Sequence, residues 1–381
     1  MRGKRESQPP MFFVIDVEAR VRPDHPLRPL KRTIDEELAK MSPLFDAAYS
    51  DNGRPGVPPE RLLKALLLQA IYSVRSETQL VERIDTDLLF RWFLDMDPAE
   101  DAFDPTAFTH NRPRLEKHGI VAAFFDGVVR RAIEAGLTSD EHFSVDGTLI
   151  ESHASIKGFV PKDRKDDDQD GGFKPRNAEV DFHGQQRSNA THVSRTDPEA
   201  RLFKKANGQP AKLYHTAHAV AENRHGLVMA VELTKATGDA ETAAALAMVD
   251  TIKNTHGKPV RTLGSDKGYD SGAYLIELER RGVTPHTALR AGIIGGAKGT
   301  CLRSCRRRES VPPRLRMRGR QAEAGYTISQ RCRKKIEEAF GRIKTVAGLY
   351  RTRLVGQWKI KQQVQLAAAA YNLVRMRKLA A

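Results

Sequence analysis

The sequence has few cysteines, no long apolar run and no leader-like N-terminus. Its three cysteines, Cys301, Cys305 and Cys332, fit neither a paired metal-ligand spacing nor a disulfide framework. No stretch approaches the roughly 18 apolar residues of a membrane span. The N-terminal residues lack the charged, apolar and cleavage regions of a signal peptide. These absences argue against a secreted or membrane-spanning protein and predict a cytoplasmic one.

Length and composition indicate a folded protein of two or so domains. The chain has 381 residues, of which 40% are hydrophobic and 29% are charged. This apolar content is enough for a sizeable core, and the charged content is near the average of globular proteins. Global disorder is therefore not expected.

The excess of positive over negative charge lies in the last fifth of the chain. The net charge is +15, yet residues 301–381 alone hold 21 Lys and Arg against four Glu. A solvated basic tail is one explanation. However, apolar residues recur among these charges at helical spacing, which favours a folded surface that neutralises phosphates. We therefore expect a nucleic-acid partner and an association with the nucleoid.

Helical patterns dominate the first third of the sequence. Residues 1–25 are predicted to be a partly ordered arm, and residues 26–138 a helical DNA-binding or assembly domain. Pro58-Pro59-Glu60 is typical of a helix start. Ser76 is a candidate N-cap with Gln79 three residues later, as in a capping box. A further helix is expected from about Gly119 to Ala135, ending at Gly136.

Strand patterns begin near residue 139 and predict an α/β (mixed α+β) catalytic domain over 139–350. A strand is expected at 142–150, and two alternating segments, 213–222 and 227–237, predict a β-hairpin. A helix, a short strand at 260–263, a second helix and another strand follow. This order favours helices packed on a mixed central sheet. From Ser329 the pattern is helical again, with a C-terminal helix over 351–381.

Two segments interrupt that pattern. Residues 157–210 are rich in polar residues and are predicted to be an insertion loop. Residues 290–322 hold nine Arg, two Cys, two Pro and five Gly without helical or strand period. They are either a flexible DNA-contacting loop or the product of two compensating frameshifts. The second hypothesis explains the abrupt limits with fewer assumptions, and it predicts a poorly ordered segment with few buried contacts.

Three acidic residues are candidates for metal chemistry. Asp146 and Asp266 are each expected at the end of an apolar strand, and Glu337 lies in a basic helix. Singly, each has an ordinary explanation: a turn residue in the first two cases, and an ion-pair partner of Arg333 or Lys334 in the third. Together, the three carboxylates could bind two Mg²⁺ ions roughly 3.5–4 Å apart, a pair that clamps the reacting oxygens of a phosphodiester.

The short sequence motifs around these residues resemble the signatures of DDE transposases of bacterial insertion sequences. Within that group they resemble the insertion-sequence five family. The glutamate signature has an Arg four residues before the Glu and a Lys seven after it, and Arg333, Glu337 and Lys344 fit that register. A Tyr of the signature is replaced by Gln330. The segments that carry the resemblance are 144–148, 266–270, 331–344, 75–77, 89–93, 104–109 and 370–373.

The resemblance implies a ribonuclease-H-like catalytic core that cuts and rejoins DNA. It implies that Asp146, Asp266 and Glu337 bind the metals, with Mn²⁺ able to replace Mg²⁺, and that Arg333 and Lys344 contact DNA phosphates. The bound DNA would be the terminal inverted repeats of the element and its target site, held by a homodimer or larger assembly. Two alternatives stay open: a non-catalytic DNA-binding descendant, and a metal nuclease that does not rejoin DNA.

Overall fold

The computed structural model describes residues 16–50, 52, 56–139, 141–162, 187–205, 208–238, 240–290 and 311–380. The arm expected at 1–25 lies largely outside the described residues. Within them the chain begins with helices: α1 (Val17–Arg20), α2 (Leu27–Lys40), α3 (Ser42–Ala48), α4 (Pro59–Ile71), α5 (Glu77–Thr86), α6 (Leu88–Phe93), α7 (Thr106–Lys117) and α8 (Ile120–Glu134).

Polar side chains of the N-terminal motifs hold these helices together. Ser76 accepts a hydrogen bond from the Gln79 amide at 3.2 Å, which confirms the predicted N-cap of α5. Glu77 pairs with the buried guanidinium of Arg112 on α7. Arg91 of α6 is buried and donates to three backbone carbonyls outside its own helix. These motif residues therefore stabilise the helical region from within.

The sheet begins at residue 142 and has seven strands, with a separate two-stranded sheet beside it. Along the main sheet the order is β4-β5-β1-β7-β8, with β6 beside β5 and β9 beside β1. The strands are β1 (His142–Ser152), β2 (Phe159–Pro161), β3 (His192–Ser194), β4 (Arg201–Phe203), β5 (Lys212–Glu222), β6 (Val228–Lys235), β7 (Thr262–Ser265), β8 (Thr284–Thr287) and β9 (Arg351–Thr352).

The main sheet is mixed. β5 and β6 form the predicted antiparallel hairpin, and β5 pairs antiparallel with β1. On its other side β1 pairs parallel with β7, which pairs parallel with β8. A helical N-terminal region followed by such a sheet is the mixed α+β arrangement that the sequence predicted.

Helices cover the sheet and join it to the N-terminal region. They are α9 (Ala240–His256), α10 (Gly272–Arg280), α11 (Val311–Arg320), α12 (Ala324–Cys332), α13 (Lys334–Thr345) and α14 (Gln357–Ala380). One apolar cluster runs from the N-terminal helices through the sheet to α14. Helix α14 packs on α8, α4 and β6. Its Asn372 amide accepts from the Val228 N–H at 2.8 Å and donates to the Val228 carbonyl at 2.7 Å.

The expectation that Asp146 ends a strand is wrong. Strand β1 continues to Ser152, because β5 pairs with it as far as Glu151. The polar residues after Asp146 therefore lie within an antiparallel ladder and not in a turn. The parallel pairing with β7, by contrast, extends only to Ser144.

The irregular segment expected at 290–322 is helical in part. Residues 291–310 lie outside the described residues, but α11 begins at Val311 with Pro312 and Pro313 in its first turn, where proline is well tolerated. Met317 of α11 is fully buried. The prediction of few buried contacts is therefore wrong for this part, since the Arg-rich composition hid the buried residues Pro313 and Met317.

Two other expectations need correction. The insertion expected at 157–210 is not wholly a loop, because β4 extends the main sheet and Asp197 is completely buried. Asp197 accepts hydrogen bonds from His215 at 2.8 Å and Ser152 at 2.7 Å. The helical pattern from Ser329 onward is divided among α12, α13 and α14, with β9 between the last two.

Candidate active site

Asp146 and Asp266 lie at equivalent places on neighbouring strands. The parallel ladder of β1 and β7 ends with the matched pair Ser144 and Gly264. Asp146 lies two residues beyond the first member of that pair, and Asp266 two residues beyond the second. The register thus brings two residues that are 120 positions apart in sequence to the same edge of the parallel ladder.

Backbone amides hold both carboxylates. Asp146 Oδ1 accepts a hydrogen bond from the Gly147 N–H at 2.8 Å. Asp266 directly follows β7, and its Oδ1 accepts from the Gly268 N–H at 2.7 Å. That bond caps a single 3₁₀ turn over Lys267–Tyr269. Each carboxylate therefore has one oxygen fixed by the protein and one oxygen with capacity for a further ligand.

Arg333 connects Asp146 to Glu337. It lies at the junction of α12 and α13, and its Nη1 is 3.3 Å from Asp146 Oδ2. Its Nη2 is 3.4 Å from Glu337 Oε1, one helical turn further along α13. The Glu337 side chain is 57% exposed, whereas those of Asp146 and Arg333 are each 19% exposed. A single guanidinium thus lies between two of the three predicted carboxylates.

The electrostatics of Asp146 show that the third carboxylate is also near. Burial is the largest cause that raises the pKa of Asp146, to about 6. The Gly147 hydrogen bond and Arg333 oppose this rise, while the negative charges of Asp266 and Glu337 add to it. Both carboxylates therefore act on Asp146 directly through space, and the structure brings together the three predicted acidic residues and Arg333.

The donor set suits a hard divalent cation. Carboxylate oxygens are the ligands that Mg²⁺ prefers, and burial, with a smaller effect of the charges of Asp266 and Glu337, raises the pKa of Asp146. In the described part of the chain, no three or more His, Cys, Asp or Glu side chains are placed closely enough to hold a metal ion as they stand. The contacts of Arg333 with Asp146 and Glu337 are consistent with this, because the guanidinium occupies the space between them.

Glu241 is a fourth carboxylate that the sequence did not single out. It lies in the first turn of α9, and burial raises its pKa, as do the charges of Asp266 and Asp146. A Cβ atom on Gly268 would lie 2.9 Å from Asp266 Oδ1 and 3.3 Å from Glu241 Oε2. The two oxygens thus border the same small space. The only sequence signal was an acidic residue at the start of a helix, which is common for ordinary reasons.

Lys344 lies apart from the carboxylates, near the far end of α13. It follows Glu337 by seven residues, which is about 10 Å along a helix axis. Its ammonium is half-buried, and burial together with the nearby charge of Lys205 lowers its pKa. The segment before β5 therefore brings a second cation, Lys205, to this place. Two neighbouring ammonium groups repel each other and favour a bound anion.

The sequence models of two protein families match this chain. A transposase domain (DUF772) matches residues 15–114, and a transposase DDE domain matches residues 138–373. The second match alone covers more than half of the 381 residues. No curated protein matches the sequence significantly. The two matched ranges correspond to the N-terminal helices and to the sheet with its covering helices.

Solved structures of transposases are among the similar folds. The cryo-EM structure of a piggyBac transposase synaptic complex with hairpin DNA is 9% identical, with 95% of this chain and 77% of that chain covered and a TM-score of 0.40. The crystal structure of a Mos1 mariner paired-end complex with Mn is 13% identical, with 83% and 87% covered and a TM-score of 0.20. Because these identities and TM-scores are low, the family assignment rests on the two sequence matches.

Within the described residues, none of the helices combines the length and the apolar character that crossing a membrane requires.

Proposed function

The chain belongs to the transposase DDE domain family, whose members cleave and transfer DNA strands in a metal-dependent reaction, and we propose that it acts on the ends of its own insertion sequence. The observation that carries the proposal is that Arg333 contacts both Asp146 and Glu337, while the charges of Asp266 and Glu337 act on Asp146. One strand, the turn that follows its parallel neighbour and one helix each carry one of these carboxylates. An ion pair that only stabilised the fold would need just one carboxylate beside Arg333.

Asp146, Asp266 and Glu337 are the residues that would hold divalent ions. Two Mg²⁺ ions are the proposed cofactors, with Mn²⁺ as a substitute, because all three ligands are carboxylates. When bound, such ions activate the attacking oxygen and stabilise the leaving oxygen of a phosphodiester. The protein contributes fixed ligands: the Gly147 and Gly268 amides hold one oxygen of each aspartate.

Arg333 and Lys344 are the proposed phosphate-binding cations. Arg333 contacts Asp146 and Glu337. A divalent ion between the carboxylates would compete for them and free the guanidinium for a phosphate, which it can bind through two parallel hydrogen bonds. Lys344, with Lys205 beside it, would bind the backbone further from the cleaved bond. The excess of positive charge in residues 301–381 supports binding along a DNA duplex.

A homodimer or larger assembly is proposed because an element has two ends that must be cut and inserted together. The described chain presents one group of catalytic carboxylates, so two ends need at least two copies. The N-terminal helices are the proposed end-binding and assembly region, since their matched range is separate from that of the DDE domain. The substrate is chromosomal DNA, and we therefore propose the nucleoid as the place of action.

The test is an in vitro reaction with the terminal repeat of the encoding element. Purified protein is mixed with a labelled duplex of that repeat, with Mg²⁺, Mn²⁺ or EDTA. We expect metal-dependent 3′-end cleavage and joining of the freed end to a plasmid, and neither on a shuffled duplex. Cleavage without joining would instead identify a nuclease. Binding without cleavage in either metal would identify a non-catalytic DNA-binding descendant and overturn the proposal.

A further inference from the structure

The loop that carries Asp266 is fixed at both of its ends by side chains from distant helices. We call residues 266–270, between β7 and α10, the second-aspartate loop. Only one 3₁₀ turn lies within it. Because Asp266 has no regular element of its own, its position depends on how the two ends of this loop are held.

Asp270 fixes the C-terminal end of the loop. Its side chain is 1% exposed, and Arg314 of α11 lies 14% exposed beside it, with Arg314 Nε 2.7 Å from Asp270 Oδ1. Arg314 Nη2 also donates to the Asp270 carbonyl at 3.0 Å. The Arg290 N–H donates to Asp270 Oδ2 at 3.0 Å, and its Nε donates to the Lys267 carbonyl. Both oxygens of a buried carboxylate are thereby bound.

Gln330 fixes the N-terminal end of the loop. Its Nε2 donates to the carbonyl of Ser265, the residue directly before Asp266, at 3.3 Å, and to the carbonyl of His286 on β8. The hydroxyls of Ser265 and Thr287 are 2.8 Å apart. Gln330 lies on α12, three residues before Arg333. It therefore ties the helix that leads to Glu337 to the strand that leads to Asp266.

Other contacts of helix α11 fix its position, and they therefore also fix the position of Arg314. Met317 is fully buried, and Arg316 and Arg320 both pair with Glu279 on α10. Helix α10 directly follows the second-aspartate loop. The loop is thus enclosed between α11, α12 and the start of α10.

From these contacts we infer that Arg314 and Gln330 are positioning residues for Asp266. They hold the second-aspartate loop in the geometry that metal binding requires. Gln330 stands where the signature that the sequence resembles has a Tyr, and Arg314 belongs to the Arg-rich segment. The inference rests on the proposed function.

The test compares metal binding with stability. Arg314→Gln removes the partner of buried Asp270, and Arg316→Gln removes the same charge from a more exposed site on the same helix, where Arg320 still holds Glu279. Mn²⁺ binding to the DNA-free protein is measured by titration calorimetry, thermal unfolding in EDTA gives stability, and end cleavage is followed against Mn²⁺ concentration. We expect Arg314→Gln to weaken Mn²⁺ binding about tenfold, with Arg316→Gln close to wild type.

Three further variants keep the test decisive if Arg314→Gln unfolds. Arg314→Gln with Asp270→Asn replaces the ion pair by two amides and leaves no unpaired buried charge. Gln330→Leu removes both tethers without changing charge, and Gln330→Asn retains a shorter amide. We expect Gln330→Leu to raise the Mn²⁺ concentration for half-maximal cleavage about tenfold and to leave end binding unchanged. For Gln330→Asn we expect a smaller rise in that concentration.

Two results overturn the inference. The first is wild-type Mn²⁺ binding in Gln330→Leu and in the folded Arg314 variants. The second is a loss of binding that Arg316→Gln shares in proportion to its loss of stability, because that would indicate a purely structural role. Failure of the proposed function gives a different pattern, in which the wild-type protein itself neither binds Mn²⁺ nor cleaves the repeat.

Discussion

Ser329 Oγ lies 2.8 Å from the point that a Cβ atom on Gly264 would occupy. Gly264 is the last residue of β7 that pairs with β1, and Ser329 lies on α12. The absence of a side chain on the strand therefore allows the helix to pack directly against the sheet. Because α12 leads into Arg333 and Glu337, this glycine sets the distance between the two aspartates and the helical part of the site.

Gly264→Ala is expected to destabilise the protein by about 1–3 kcal/mol, because overpacking forces a helix or a strand to shift. Urea unfolding measures the change. Ser329→Ala removes the nearest atom and should restore part of the loss in the double variant. Gly341→Ala, with nothing near its Cβ on α13, is the matched control and should be neutral or slightly stabilising. Equal losses for both alanine variants would contradict the packing argument.

Replacement of each predicted metal ligand by its amide should abolish cleavage. We expect Asp146→Asn, Asp266→Asn and Glu337→Gln each to lower strand cleavage at least about a thousandfold, and their combinations to lose little more, since they act on the same ions. End binding measured by gel shift should be retained. Glu338→Gln is the matched control, because Glu338 lies next in sequence and pairs with Arg375. A residue whose amide variant cleaves like wild type does not belong to the site.

Asp146→Asn should also stabilise the metal-free protein at alkaline pH. Burial raises the pKa of Asp146 to about 6 in the folded state, so the native protein holds this proton to higher pH than the unfolded chain does. Ionisation therefore costs native stability above that pKa, and the cost fades as the pH falls towards the unfolded value. The Asn side chain does not ionise and so avoids this cost. The gain in the free energy of unfolding from Asp146→Asn is therefore expected to be about 2 kcal/mol larger at pH 8 than at pH 4.5.

The measurement is urea unfolding in EDTA at both pH values. Asp250→Asn serves as the control, because Asp250 lies on α9 in a half-exposed pair with Arg281. Mg²⁺ should stabilise the wild type more than Asp146→Asn, since it binds only the native site. The same stability change at the two pH values would show that ionisation of Asp146 is not the cause.

Lys344→Ala and Arg333→Ala should weaken DNA binding irrespective of sequence. Each is expected to lower the slope of log affinity against log salt by about 0.9, the value for one phosphate contact on duplex DNA. Fluorescence anisotropy over a salt series gives the slope. Lys361→Ala is the control, because that ammonium is already paired with Glu232 at 2.9 Å. A loss confined to duplexes changed at one base pair would indicate base reading and contradict the assigned roles.

Local patterns predicted the elements well where one residue type decides the geometry. Ser76 begins its helix as expected, and the hairpin of β5 and β6 follows the alternation of its residues. Asp146 was expected at a strand end, yet its strand continues, because pairing with β5 extends the strand beyond its polar residues. No local signal carries that information.

Other features depend on contacts between distant segments and were missed for that reason. Helix α11 is stabilised by two buried residues, Pro313 and Met317, and by ion pairs with α10, none of which has a periodic signature. Glu241 joins the carboxylates only because α9 begins beside the second-aspartate loop. Gln330 looked like a loss from the family signature, and only the fold shows which carbonyls it binds.

The contact between Asn372 and Val228 has a consequence for solubility. Strand β6 lies beside β5 at the edge of the sheet, and the Asn372 amide satisfies both the N–H and the carbonyl of Val228. An uncovered strand edge is a template for pairing with another chain. A product truncated before α14 would expose this edge together with the apolar face beneath it. Such fragments are expected to self-associate into insoluble material.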